Sequence, residues 1–175
     1  MIVAGVIGLW LTLAMNQAMK PAVENSAFGI VDFELAGTPE QAVVILDAWG
    51  TDGREGAEQA IKLDYGYLVA YSVLLALACG TVAMGAAARE WHRTERAAWR
   101  LTALSPVAGL LDAVENTALL SVLGQYDSGE VIGSATVIAD AVAALKFGIV
   151  VAAFVFVIVV MGAIVNTRFR RPKQA

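Results

Sequence analysis

Four apolar runs alternate with short polar stretches along this chain, and each run is long enough to be a helix crossing a bilayer. The first covers residues 2–19, from Ile2 through Trp10 to Met19, and is closed by Lys20-Pro21. The second runs from about Asp64 to Ala88, the third from Leu101 to Gly124, and the fourth from Ser134 to Val165. The first is near the minimum length for a span, and the fourth is long enough to tilt or protrude. A cleaved signal peptide competes for the first run. No basic n-region precedes it and no small-x-small cleavage site follows, so a retained helix is expected. Gly5 and Gly8 would let that helix approach a neighbour closely. Pro106 falls in the first turns of the third run, where a missing N–H is tolerated.

Residues 22–63 form the one sizeable stretch outside the hydrocarbon. Phe28 to Leu35 reads as extended, with Val31, Phe33 and Leu35 alternating against Asp32 and Glu34. Gly37 breaks it. Thr38-Pro39-Glu40-Gln41 predicts a helix start, with Thr38 as N-cap, Pro39 at the first helical position and Gln41 at the capping-box position. Ala42, Ile45, Leu46 and Trp49 share one face. Such a helix can lie in the interface with Trp49 at headgroup level, or pack as a small cap on the bundle. Gly50-Thr51-Asp52-Gly53 reads as a turn.

Composition agrees with the pattern: 58% of the 175 residues are hydrophobic and 16% are charged. The net charge of −4 argues against nucleic acid as a partner. The charge is segregated. Arg89, Arg93, Arg96 and Arg100 form one basic loop, and Arg168, Arg170, Arg171 and Lys173 a second cluster. Both clusters on the cytoplasmic side give four helices with both termini inside and residues 22–63 outside. Cys79 and His92 are the only residues of their kinds, which excludes an intrachain disulfide, a multi-cysteine metal site and a bis-histidine haem.

Polar residues inside the runs are few, and ionisable groups in hydrocarbon mark a pathway, a site or a paired structural contact. Asp112, Glu115 and Asn116 lie on one helical face of the third run. At about 1.5 Å per residue, Glu115 lies roughly 13 Å from the outer end of its helix and Lys146 roughly 15–18 Å from the outer end of the fourth. Asp112 sits a turn deeper, and Lys146 is expected to reach Glu115 or Asp112. Asp140 is shallower and on another flank. Asp64, Tyr67 and Tyr71 share a face of the second run. Tyr71 is deeper than an aromatic belt requires, so its hydroxyl is expected to find a protein partner.

Three readings of this chemistry stand. The carboxylates and Lys146 could shift one another's proton affinity to move protons or hold a charged ligand. Asp112, Glu115, Asp140 and Asn116 could offer hard oxygen ligands to a cation. Lys146 could simply neutralise one carboxylate while Asn116 and a tyrosine satisfy the rest, holding the helices in register. No phosphate loop, nucleophile elbow, zinc-protease motif or nucleotide fingerprint is present, and no cofactor is expected.

The pieces Phe33-Glu34-Leu35-Ala36-Gly37-Thr38-Pro39-Glu40, Leu63-Asp64-Tyr65 with Tyr71, Asp112-Ala-Val-Glu115-Asn116 and Leu145-Lys146-Phe147 resemble a group of small bacterial integral membrane proteins. The resemblance implies a four-helix fold in the bacterial inner membrane and brings no activity with it. The expectation is an all-α, four-helix transmembrane bundle forming a single domain, with a small extracytoplasmic cap. Its polar cluster would bind or translocate a proton, a cation or a polar lipid headgroup from the outer side. The bilayer is its first partner, with a homo-oligomer also open. A non-catalytic accessory subunit of a larger membrane complex is the rival class. An enzyme acting on a lipid, with Asp112 or Glu115 as base, is the third.

Overall fold

The computed structural model describes residues 2–130 and 133–169. Within them the chain is all-helical with no strand. The elements are α1 (Ile2–Ala18), α2 (Lys20–Asn25), α3 (Ile30–Glu34), α4 (Pro39–Ala87), α5 (His92–Asp127) and α6 (Ala135–Phe169). Helices α4, α5 and α6 are long and apolar enough to cross a membrane, and α1 is an apolar helix of 17 residues. The second basic cluster lies outside the described residues, apart from the helical backbone of Arg168.

The segment Phe28–Leu35 is not extended. Residues 30–34 wind into a short helix instead. Asp32 Oδ2 accepts from Gly29 N at 2.7 Å, bending the chain back at the helix start. Phe33 alone of the alternating apolar residues is buried, at 2% exposure, while Val31 and Leu35 are exposed. The alternation that suggested a strand is too short to separate a pleat from one helical turn. Gly37 then turns the chain with φ +67°.

Thr38 caps α4 as its sequence predicts, with Oγ1 accepting from Gln41 N at 3.3 Å. Ala42, Ile45, Leu46 and Trp49 form the buried face. Trp49 is not an interfacial anchor. It is fully buried, packs its ring edgewise 5.3 Å from Phe33, and donates Nε1–H to Phe28 O at 2.8 Å. Phe33 offers it an aromatic partner and Phe28 a carbonyl, so the indole meets its polar need inside the protein. Gly50 interrupts α4 at φ 64°, ψ −174°, a conformation that essentially only glycine adopts. The expected turn is this one residue, because Thr51, Asp52 and Gly53 are already helical. The break frees carbonyls of the preceding turn. Arg54 Nη1 donates to one of them, Leu46 O, at 3.3 Å, while its Nε pairs with Asp127 Oδ1 at 2.9 Å.

Helix α1 runs back along α4. Ala18 meets Gly56, Leu11 meets Gly66, and Gly8 meets Tyr67 and Ala70. Gly56 has no space to spare, since a Cβ there would collide with the Ala18 carbonyl oxygen. Of the two glycines expected to favour packing, Gly8 is buried against α4 and Gly5 has nothing near it.

The basic loop expected over 89–100 is a tight turn at 88–91, and α5 already begins at His92. The intervening Arg, Glu and Ala residues are good helix formers, and Ala98 is fully buried. Pro106 therefore sits in the helix interior rather than its first turns. Arg89 ties this end together, donating to Gly85 O at 2.9 Å, Thr167 Oγ1 at 3.1 Å and Ile164 O at 3.3 Å.

Two apolar layers result. At the end nearer α2 and α3, Phe33, Ile45, Leu46, Trp49, Leu119 and Val122 pack together. At the Arg89 end, Val82, Ala83, Ala98, Val160 and Ile164 do. Outward faces stay apolar: Phe154, Ile158 and Val159 of α6 are 56–63% exposed. Contiguous apolar surface on that scale is what a bilayer covers.

Candidate functional site

Between the two layers lie the buried charges. Lys146 projects from α6, Asp112, Glu115 and Asn116 from α5, and Asp64 and Tyr71 from α4. The helical offsets predicted for α5 hold, with Asp112 and Glu115 one turn apart on the face toward Lys146. Lys146 Nζ donates to Asp112 Oδ1 at 2.8 Å. Glu115 Oε2 is also 2.8 Å from Nζ, as an ion pair off the hydrogen-bonding direction. Glu115 is fully buried, and neither of its oxygens accepts a hydrogen bond among the described residues. The ammonium also lies 4.6 Å from the centre of the Phe147 ring. The depth argument that paired Lys146 with Asp112 or Glu115 understated the result, because one ammonium serves both.

A third carboxylate, Glu34 of α3, reaches to 4.0 Å from Lys146. Sequence reasoning missed it, because a strand over residues 28–35 turned it toward solvent. The signal available was an acid between Phe33 and Leu35, ahead of the Gly37 turn. Burial pushes the Glu34 carboxyl up to about 8 from the ordinary 4.5. Lys146 opposes that rise, while Glu115, Asp112 and Asp64 add to it.

Asn116 is turned to α4, where Nδ2 donates to Asp64 Oδ2 at 2.8 Å. Tyr71 Oη has no hydrogen-bond partner among the described residues, so the expected protein partner is not there. It lines a cavity instead. Asp140 is not brought to the cluster. It faces the Gly37 turn, where a Cβ on that glycine would stand 3.8 Å from its carboxyl group. The six-residue offset from Lys146 accounts for this, since it places the two on different flanks of α6. The four oxygen ligands considered for a cation thus do not converge. The Lys146 ammonium holds the position between Asp112 and Glu115 that a cation would take.

Beside the cluster opens a cavity of about 600 Å³. Glu34, Asp64, Asp112, Lys146 and Tyr71 form its polar end, and Leu74, Leu75, Ala78, Val150 and Phe154 continue it as an apolar groove. The lining spans Asp64 to Ala78 on α4, which at 1.5 Å per residue is roughly 21 Å. A wall that is charged at one end and apolar along its length can hold a molecule built the same way.

Fold and site together define a helical membrane protein with a groove charged at one end. Compared with protein-family models, curated proteins and solved structures, the chain matches none.

Proposed function

We propose that this protein binds one lipid-like amphiphile from the bilayer, polar head against the Lys146 cluster and chain along the groove. The observation that carries the reading is the single cavity joining Asp112 and Lys146 to Leu74, Leu75 and Phe154. Its volume lies within the range of about 300–1,000 Å³ usual for small-molecule sites. Phe154, at the groove's apolar end, is 60% exposed, so the groove communicates with the lipid-facing side of α6. In this reading α1 completes a four-helix bundle, residues 22–63 lie outside, and both termini lie in the cytoplasm, following the arginine-rich turn. The polar head then sits in the outer half.

The small residues Cys79, Ala83 and Ala86 of α4 are buried within the chain and Gly85 lies against Ile164, while Gly80, Ala87 and Ala88 stay open to a neighbour. The groove, and not this surface, is what favours a binding protein over an accessory subunit.

The test is native mass spectrometry of protein purified from membranes, with Ala78→Trp as the groove-filling variant. Wild type should carry one bound amphiphile, and Ala78→Trp should lose it while keeping its helical content and thermal midpoint. Wild type with nothing bound, or equal occupancy in the variant, would refute the proposal. A stoichiometric large protein partner on copurification would favour the accessory subunit.

A further inference from the structure

The polar end of the groove is unevenly charged. Three carboxylates, Asp64, Asp112 and Glu115, gather around one ammonium, with the Glu34 carboxyl, which burial keeps protonated, beside them. Lys146 is committed to Asp112 and Glu115, both at 2.8 Å. Asp64 is left with a neutral partner, the Asn116 amide, on Oδ2. Among the described residues no Lys, Arg or His pairs with Asp64. Glu115 adds two more fully buried oxygens, one of them 2.8 Å from Lys146 Nζ. Next to Asp64 on the cavity wall stand Tyr67 and Tyr71, ring centres 5.6 Å apart. An unmatched carboxylate beside aromatic rings is the pairing that holds ammonium groups, by Coulomb attraction and by the ring quadrupole. A phosphate or carboxylate head would meet the same wall as a like charge, with Lys146 already engaged.

Resting on the amphiphile reading above, we infer that the head group is a cationic ammonium, seated at Asp64, Tyr67 and Tyr71. The excess carboxylate charge around Lys146 complements it, and the groove toward Phe154 takes its chain. The ligand enters from the bilayer, since Phe154 at the chain end of the groove faces outward at 60% exposure.

The experiment uses three nitroxide-labelled single-chain probes that differ only in the head: trimethylammonium, hydroxyl and phosphate. Each is added to the full chain in alkyl maltoside micelles, whose surface is neutral, at physiological salt. Electron spin resonance reads the immobilised fraction. The ammonium probe should bind at least roughly tenfold more tightly than the phosphate probe, with the alcohol between them. Asp64→Asn, which keeps an oxygen for Asn116, should bring the ammonium probe down to the level of the alcohol and abolish the preference for ammonium. Phosphate or alcohol binding as tightly as ammonium would overturn the head-group class and leave the groove reading standing. No immobilised probe at all would overturn both. The order of the three probes on wild type needs no variant, so it decides the matter even if Asp64→Asn fails to fold.

Discussion

Removing the Lys146 ammonium while keeping its chain is the sharpest perturbation of this fold. In Lys146→Met the side chain keeps its length, but Asp112 and Glu115 lose the cation that stands 2.8 Å from each. Both acids are nearly inaccessible, at 4% and 0% exposure, so water cannot replace it. Breaking a buried pair by deleting one partner costs about 3–5 kcal/mol. At about 1.4 kcal/mol per factor of ten, the folded population relative to unfolded falls by about two to three and a half orders of magnitude. Reversible unfolding in mixed micelles, titrated with a denaturing detergent and followed by circular dichroism, measures the loss. Because one ammonium serves two carboxylates, neutralising one of them cannot restore stability. Lys146→Met with Glu115→Gln should stay destabilised by the orphaned Asp112, and adding Asp112→Asn should recover most of the loss. A single-variant cost under about 1 kcal/mol would refute the reasoning, since that is the worth of a solvated surface pair. Full recovery in the Lys146→Met, Glu115→Gln double variant would refute the shared geometry. A folded triple variant that no longer binds amphiphile would assign the cluster to function as well as to structure.

Further outcomes are expected. The Glu34 carboxyl should show the infrared carbonyl band of a protonated acid at neutral pH, absent in Glu34→Gln and lost as pH rises through about 8. Its raised proton affinity contributes stability that is full below the ordinary 4.5 and lost as pH rises to about 8, so a midpoint that climbs over this window would contradict it. Gly50→Ala should cost about 1–3 kcal/mol in the same unfolding assay through its backbone conformation, and Thr38→Ala about 1 kcal/mol through loss of the cap. Gly56→Ala should force α1 away from α4 and lower the thermal midpoint more than Gly5→Ala, which meets nothing. In a Cys79→Ser background, Asp52→Cys should react with an impermeant thiol reagent from outside and Arg93→Cys from the cytoplasm; the reverse labelling would invert the outward-facing head site.

The long helices and the central ion pair were legible because each rests on a strong local signal. Apolar runs of sufficient length leave helices as the economical choice in hydrocarbon. The meeting of Lys146 with Asp112 or Glu115 followed from depth along rigid rods, which a fixed rise per residue makes countable, but its pairing with both did not. What escaped were relations set by short segments. Five residues of α3 cannot display a helical period, so Glu34 was turned outward. The buried face of Ala42, Ile45, Leu46 and Trp49 was readable from spacing. Its partners, Phe33 and the Phe28 carbonyl, depend on where the chain turns at Gly37. The reach of α5 back to His92 was hidden by arginines that solvate its first turns while remaining good helix formers. Tyr71 was given a protein partner on the rule that buried hydroxyls are satisfied, and the cavity beside it is the exception.

The apolar layer at the Arg89 end has a kinetic consequence. Val82, Ala83, Ala98, Val160 and Ile164 close the bundle below Ala78 and Phe154, and Arg89 fastens α4 to α6 beneath them. The groove is therefore blocked toward that end and open along its side. An occupant leaves sideways by the open face through which it came, so its exchange is not driven by a gradient across the membrane. On the proposed reading, this conformation retains or presents a bound amphiphile. Vectorial transport would require the Arg89 clamp to let go.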